Sequence, residues 1–302
     1  VTSPQLTAPT IRRLTLEDLA RCADLSDDRG WPREEHKWGL LLSAGTGYGV
    51  DAPDGHGLAA ACVVTSYGAS VTAPELAAVG MVLVAERYAR QGLGRRLMTH
   101  VCDNVLQGVP LTLHATPFGQ PLYEDLGFQV VGRTEMLTGP FSLDIAAEPG
   151  AGPAATPARS TVRPATAEDL PRILALDAEV FGTDRTHVLT RLPAFSDLFL
   201  VAEDTTGRLT GYTAAWPNMQ THVIGPLIAE DTATAQALVG ALAARTDRPL
   251  RTDIDVRHHE LIDWLKAHGM QSVAFNAVMT RSVPDLPGDR TRRWAPLTVA
   301  AG

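Results

Sequence analysis

The 302-residue chain has only three cysteines, Cys22, Cys62 and Cys102, each about forty residues from the next. An odd number without metal-like spacing argues against a disulfide framework and against a zinc site, so they are read as reduced thiols. His258 and His259, with Asp253 and Asp255, do not restore a metal site. They fit a strand running into a helix, adjacent histidines point apart, and no further ligand follows at suitable spacing. The basic residues are almost all arginine and form no long runs, and the net charge is −8, which argues against a nucleic-acid partner. No apolar run approaches the length of a membrane span, and residues 1–10, VTSPQLTAPT, lack the basic and apolar parts of a signal peptide. The expectation is a soluble cytoplasmic protein with no membrane partner.

What is present suffices for two cores of about 150 residues each: 45% of the residues are hydrophobic. The most informative stretch is residues 82–94, VLVAERYARQGLG, an apolar strand entering an arginine- and glycine-rich turn. Gly92 and Gly94 allow a tight turn and close approach of a ligand to the backbone. Leu93, Leu97, Val101 and Val105 recur every four residues, predicting a helix directly after the turn. Its first N–H groups and macrodipole favour an anion such as phosphate, and Arg90, Arg95 and Arg96 add formal charge. Leu97 stands where a Rossmann fingerprint needs its third glycine, and the Gly-Lys-Ser/Thr of a Walker loop is absent. About thirty residues on, LTLHATP (residues 111–117) reads as a strand and FGQPLYEDLGF (118–128) as a short helix ending at Gly127.

Together these two blocks resemble the GNAT acyltransferase superfamily. Its pyrophosphate loop reads Arg/Gln-x-x-Gly-x-Gly/Ala, and a later helix often reads Leu-Tyr-x-x-x-Gly-Phe. Residues 122–128 match the second pattern fully. Residues 89–94 match the first except that Ala89 takes the Arg/Gln position, with Arg90 beside it. The resemblance implies an acyl-CoA co-substrate, with acetyl-CoA the first choice of donor, and no metal. Its pyrophosphate would be held at Arg90, Gln91, Gly92, Leu93, Gly94 and Arg95. Val82, Leu83 and Val84 would bond the pantetheine arm, and Thr116 stands where many relatives carry an asparagine for the pantetheine amide. Tyr123 is the candidate catalytic residue, a phenol that can donate to the departing thiolate. Its other reading is a half-buried aromatic packed on Phe128. Glu34, Glu35, His36, Glu75 and His114 are possible bases, none singled out. Trp31 and Trp38 either wall an acceptor pocket or pack the first helices.

Residues 143–160 are rich in Pro, Gly and Ala and read as a linker. The stretch after the linker repeats the start of the chain: IRRLTLEDL (11–19) reappears as VRPATAEDL (162–170), with Arg, Thr, Glu, Asp and Leu in register. In each copy the Thr can cap a helix with acids in its first turn. LYEDLGF has its counterpart in WLKAHGM (264–270), with Leu265 where Tyr123 stands. The turn's counterpart is AEDTATA (229–235), which has two acids and no glycine, so pyrophosphate there would meet like charge. The whole chain resembles two-domain acyltransferases of the YitH/HolE type.

The expectation is an α/β fold of two tandem GNAT-like domains, each a mixed, mostly antiparallel sheet flanked by helices and splayed between its fourth and fifth strands. Residues 1–145 would form the catalytic domain, 146–160 a linker and 161–302 a degenerate second domain. The resemblance implies an N-acyltransferase in which the amine of a small molecule attacks acyl-CoA directly in a ternary complex. The rivals are acylation of a protein amine, and a silent acyl-CoA sensor.

Overall fold

The structure is a computed structural model that describes residues 10–70, 73–143 and 160–302. Of the expected linker, residues 146–160, only Ser160 falls within them, and residues 1–9 lie outside as well. The first half runs β1 (Ile11–Leu14), α1 (Leu19–Asp28), α2 (Glu35–Ala44), β2 (Thr46–Asp51), β3 (Leu58–Tyr67), β4 (Leu76–Val84), α3 (Leu93–Thr99), β5 (Leu111–Ala115), α4 (Gln120–Asp125) and β6 (Gln129–Gly139). The second runs β7 (Thr161–Pro164), α5 (Leu170–Phe181), α6 (Thr186–Leu189), α7 (Leu192–Phe195), β8 (Leu198–Glu203), β9 (Leu209–Asn218), β10 (Thr221–Ala229), α8 (Thr232–Ala243), β11 (Leu250–Asp255), α9 (His259–Ala267), β12 (Gln271–Arg281) and β13 (Arg293–Ala295). The α/β class and the mixed, mostly antiparallel sheets are as expected. Only β4 with β5 and β10 with β11 pair in parallel among the described strands.

The repeated opening of the two halves has a common physical role. The Arg12 guanidinium donates to both oxygens of Asp18 and both of Asp51, at 2.7–3.0 Å. Arg163 makes the same double fork with Asp169 and Glu203. Asp18 and Asp169 also accept from the backbone N–H of Thr15 and Thr166, closing a capping box ahead of α1 and α5. The arginine therefore ties the first strand of each half to its first helix and to the next strand. It holds both aspartates below the usual carboxylate range.

The four-residue spacing after the glycine turn holds for only part of its length. Leu93, Leu97 and Val101 are buried, but the helix widens into a π-helical turn over His100–Val105, and Val105 is 37% exposed. Extra residues per turn rotate that side chain off the core face.

The two sheets join into one of 13 strands, ordered β1-β2-β3-β4-β5-β12-β6-β11-β10-β9-β8-β7, with β13 paired to β10. The halves have exchanged their last strands. β12 pairs with β5 through Ala277↔Ala115 and its neighbours, and β6 pairs with β11 from Thr134↔Asp255 to Gly139↔Leu250. β6 and β12 also pair with each other. Without its foreign partner, β5 would present a bare edge. A shared core adds to this seam: Leu40, Tyr67 and Leu76 of the first half pack with Phe181, Trp216 and Leu297 of the second. Thermal unfolding followed by calorimetry should therefore give one transition with matching calorimetric and van't Hoff enthalpies. Two resolved transitions would show that the exchanged strands do not couple the halves.

Candidate active site

The site is built around an irregularity in β4. Ala61 pairs with Leu83 and Val63 with Gly80, so Cys62 faces two residues, Met81 and Val82. Met81 takes up the extra length with a left-handed backbone, φ 52°. Such a bulge removes peptide groups from the ladder and re-aims the strand. On its other edge β4 bonds to β5 only at Ala77↔Leu111 and Ala78↔Thr112. Beyond these the strands separate, leaving a wedge along which Val82, Leu83 and Val84 lie.

The glycine turn sits at the mouth of this wedge. Arg90 and Gly92 have φ of 59° and 79°, and Gly92 is the N-cap of α3, with no side chain capping the helix. A Cβ on Gly92 would meet nothing within 4 Å, so the residue serves the left-handed backbone and leaves the approach to the first-turn N–H groups open. A Cβ on Gly94 would lie 3.5 Å from Val84 Cγ2 and 3.6 Å from Leu122 Cδ2, where strand and both helices converge. Leu93 is buried and anchors the turn, and Gln91 is exposed. Arg90 and Arg96 are exposed and form no ion pair among the described residues, whereas Arg95 donates to Asp125 Oδ2 at 2.6 Å. That pair is solvated on both sides and holds Arg95 only weakly.

Tyr123, on α4, is buried with its ring edge-on to Phe128, centroids 6.0 Å apart. Burial, with Cys62 nearby, raises its phenol well above the ordinary value, so it keeps its proton at neutral pH. Thr116 directly follows β5, and its Oγ1 accepts from Gly119 N at 3.2 Å, which leaves its hydroxyl proton free to donate. The three cysteines are buried free thiols, and burial pushes Cys22 up to about 12.

The candidate bases are scattered. Glu34 is buried at φ 43°, paired with Lys37 and accepting from Asn218 Nδ2 at 2.7 Å across the seam. Glu35 pairs with Arg33, and the Glu75 side chain is exposed. His36 stacks on Phe195, 4.3 Å between centroids. Trp38 is fully buried, donating to Ser26 Oγ at 2.9 Å, which makes it a packing residue; Trp31 is 38% exposed. His114 lines a cavity of about 30 Å³ with Thr134, Asp255, Arg290 and Arg293. Thr134 Oγ1 has no protein partner there, and the space suits a water. His258 stacks on Trp294 at 3.8 Å, whereas the neighbouring His259 is exposed. No cluster of three or more metal-ligating side chains occurs among the described residues.

Sequence reasoning missed the final segment. β13 pairs with β10 at Leu227↔Ala295 and Ile228↔Arg293, past the last parallel pair with β11 at Ile224↔Thr252. Trp294 Nε1 donates to Ala229 O at 2.9 Å. The wedge of the second half is thus filled by the chain itself. The helix there, α8, is capped by Asp231, whose carboxylate accepts from Thr234 N at 2.8 Å. Among the described residues the first half has no counterpart of this segment, so the repeat could not announce it.

Two family models, each described as "Acetyltransferase (GNAT) domain", match separate halves, one at residues 63–139 and the other at 173–295. The chain is a tandem GNAT acetyltransferase. This tandem GNAT protein is 28% identical over 258 residues, 84% of each chain, to YitH of Bacillus subtilis (strain 168), described as an uncharacterized N-acetyltransferase. Its fold superposes on a putative acetyltransferase from Pyrococcus horikoshii with TM-score 0.76 and 17% identity, covering 99% of this chain and 98% of the other. A tandem GNAT protein from the clavulanic acid biosynthesis pathway gives TM-score 0.62 and 15% identity, covering 91% and 99%. The family uses acyl-CoA as co-substrate and transfers to an acceptor. No helix among the described residues is long and apolar enough to cross a membrane.

The half-buried His114 is expected to make the acetyltransferase less stable in acid. Burial, aided by Arg293, pushes His114 down from 6.5 to about 4 against the pull of Asp255. The unfolded chain binds this proton below about 6.5 while the native ring refuses it until about 4, so stability is untouched above pH 7. It falls by about 1–3 kcal/mol as pH drops between those values. Denaturant midpoints measured at pH 7 and pH 5 should lie closer together in His114→Gln than in the parent. An unchanged gap would assign the loss to other groups.

Proposed function

We propose that the first half binds acetyl-CoA and transfers its acetyl group directly to the amine of a small molecule in a ternary complex. The observation that carries this reading is the uncapped glycine turn standing at the mouth of a wedge with a bulge in its wall. The turn supplies N–H groups and Arg90 for the pyrophosphate. The edge of β4 from Val82 to Val84, without a strand partner, supplies peptide groups for the pantetheine arm, and the bulge offers an N–H towards the thioester oxygen. Thr116 can donate to a pantetheine carbonyl. Tyr123, kept protonated by burial, donates to the thiolate sulfur as the C–S bond breaks, while the attacking amine loses its proton to water or a nearby base.

A small acceptor is favoured because the second half packs over the first at Tyr67, Leu76 and Trp216, where an extended peptide would need an open groove. The second half is read as a domain without a donor site: Asp231 already satisfies the helix start and β13 fills the wedge. The domain limits that accompany this reading are 1–145 and 161–302.

Titration calorimetry should find one acetyl-CoA site per chain, weakened about tenfold or more by Gly92→Asp, which sets a like charge beside the pyrophosphate. Two sites would overturn the assignment of the second half, and no heat would overturn the donor reading. Tyr123→Phe should lower kcat about a hundredfold while acetyl-CoA affinity stays within about twofold. An unaltered kcat would remove Tyr123 from the chemistry.

A further inference from the structure

The segment that fills the second wedge continues into the first. Pro296 lies against Gly225 of β10, where a Cβ would sit 2.2 Å from Pro296 O. Four residues on, Ala300 lies against Gly80 of β4, beside the bulge. A Cβ on Gly80 would sit 2.3 Å from Ala300 O, 2.4 Å from its Cα and 2.6 Å from its Cβ. Ala300 is buried and belongs to the core of the first half together with Met81 and Leu83.

The contact is held firmly. Ala301 N and Gly302 N both donate to Thr298 O, at 2.9 and 3.0 Å, so the segment forms a self-bonded turn. Tyr67 Oη donates to Ala301 O, and the His114 ring meets the Val299 backbone. Strands on both sides of the wedge, through Gly80 of β4 and His114 of β5, therefore touch the same turn.

We propose that the turn at residues 298–301 is the end wall of the acyl channel and sets the length of acyl group that the protein accepts. The inference rests on the reading of the β4–β5 wedge as the donor site. A donor arm entering at the glycine turn runs back along Val84 to Val82, and its acyl end points towards Gly80. The strand rises about 3.3 Å per residue, so little more than one residue's length separates a thioester at Met81–Val82 from Ala300. An acetyl methyl fits such a space. Each added methylene must displace backbone that is bonded to itself and to Tyr67, and overpacking of this kind is costly. Ala300 and Tyr67 hold no part of the CoA moiety, so their substitution acts on the acyl group alone.

The full chain is titrated by calorimetry with CoA, acetyl-CoA, propionyl-CoA and butyryl-CoA. The parent should bind CoA and acetyl-CoA alike and butyryl-CoA about tenfold or more weakly. Ala300→Gly, which removes a methyl from the wall, and Tyr67→Phe, which unties it, should each narrow the acetyl-to-propionyl gap by about threefold or more with CoA affinity unchanged. Equal affinity of the parent for all three acyl-CoAs would overturn the wall, as would variants that leave the ratios untouched. If CoA itself, which does not reach the turn, fails to bind the parent, the donor-site reading falls and the wall falls with it. Far-ultraviolet circular dichroism and the thermal midpoint of each variant identify any that misfold. Tyr67→Phe, which keeps the ring, then decides alone.

Discussion

Strands β6 and β12 lie side by side in the middle of the sheet, bonded to each other and each to a strand of the opposite half. Neither half has a complete set of strands without the other. Because β12 occupies the free edge of β5, that strand is fixed on one side and can diverge from β4 on the other without being lost from the sheet. The wedge is a gap between one strand held by the bulged β4 framework and another held by a strand more than 150 residues away in the sequence. The wedge and the partner domain are in this sense one mechanical object. A disturbance of β12 reaches the wedge through a single strand.

The two halves also show what a duplicated fold retains and what it gives up. The arginine forks at Arg12 and Arg163 keep equivalent carboxylate partners, with Glu203 in the place of Asp51, because they fasten the first strand and helix in either copy. The turn before the helix is different. In the first half it is open, lined by Arg90 and without a cap; in the second an aspartate closes the helix start and a tryptophan-bearing strand lies beside β10. Positive potential at a helix start is a fixed property of the backbone. One half satisfies it internally and the other leaves it facing outward.

Much of this was legible in the sequence, for reasons of locality. The glycine turn and the Tyr123 helix are read from neighbours within a dozen residues, where the period of apolar positions and the few residues that tolerate a left-handed backbone decide the structure. The repeat was legible because Arg12, Thr15 and Asp18 act within one turn of chain. The exchange was not, since β6 alternates in the same way whichever strand lies beside it. Val105 kept the helical spacing yet left the core because a π-turn carries no sequence period of its own. Arg95 was legible as a cation but not as the partner of Asp125, thirty residues away. The turn that meets Gly80 reads only as a run of small residues, and the glycine it requires is indistinguishable in sequence from one needed for a bend.

The exchange also orders events in time. As the chain leaves the ribosome, β5 is complete at residue 115, but the strand that covers its edge ends at residue 281. At translation rates of roughly 5–20 residues per second this interval lasts on the order of ten to thirty seconds. Throughout it the first half carries an apolar β-edge open to any nascent neighbour. A protein arranged in this way is open to edge-to-edge association at a stage when no substrate is yet in question.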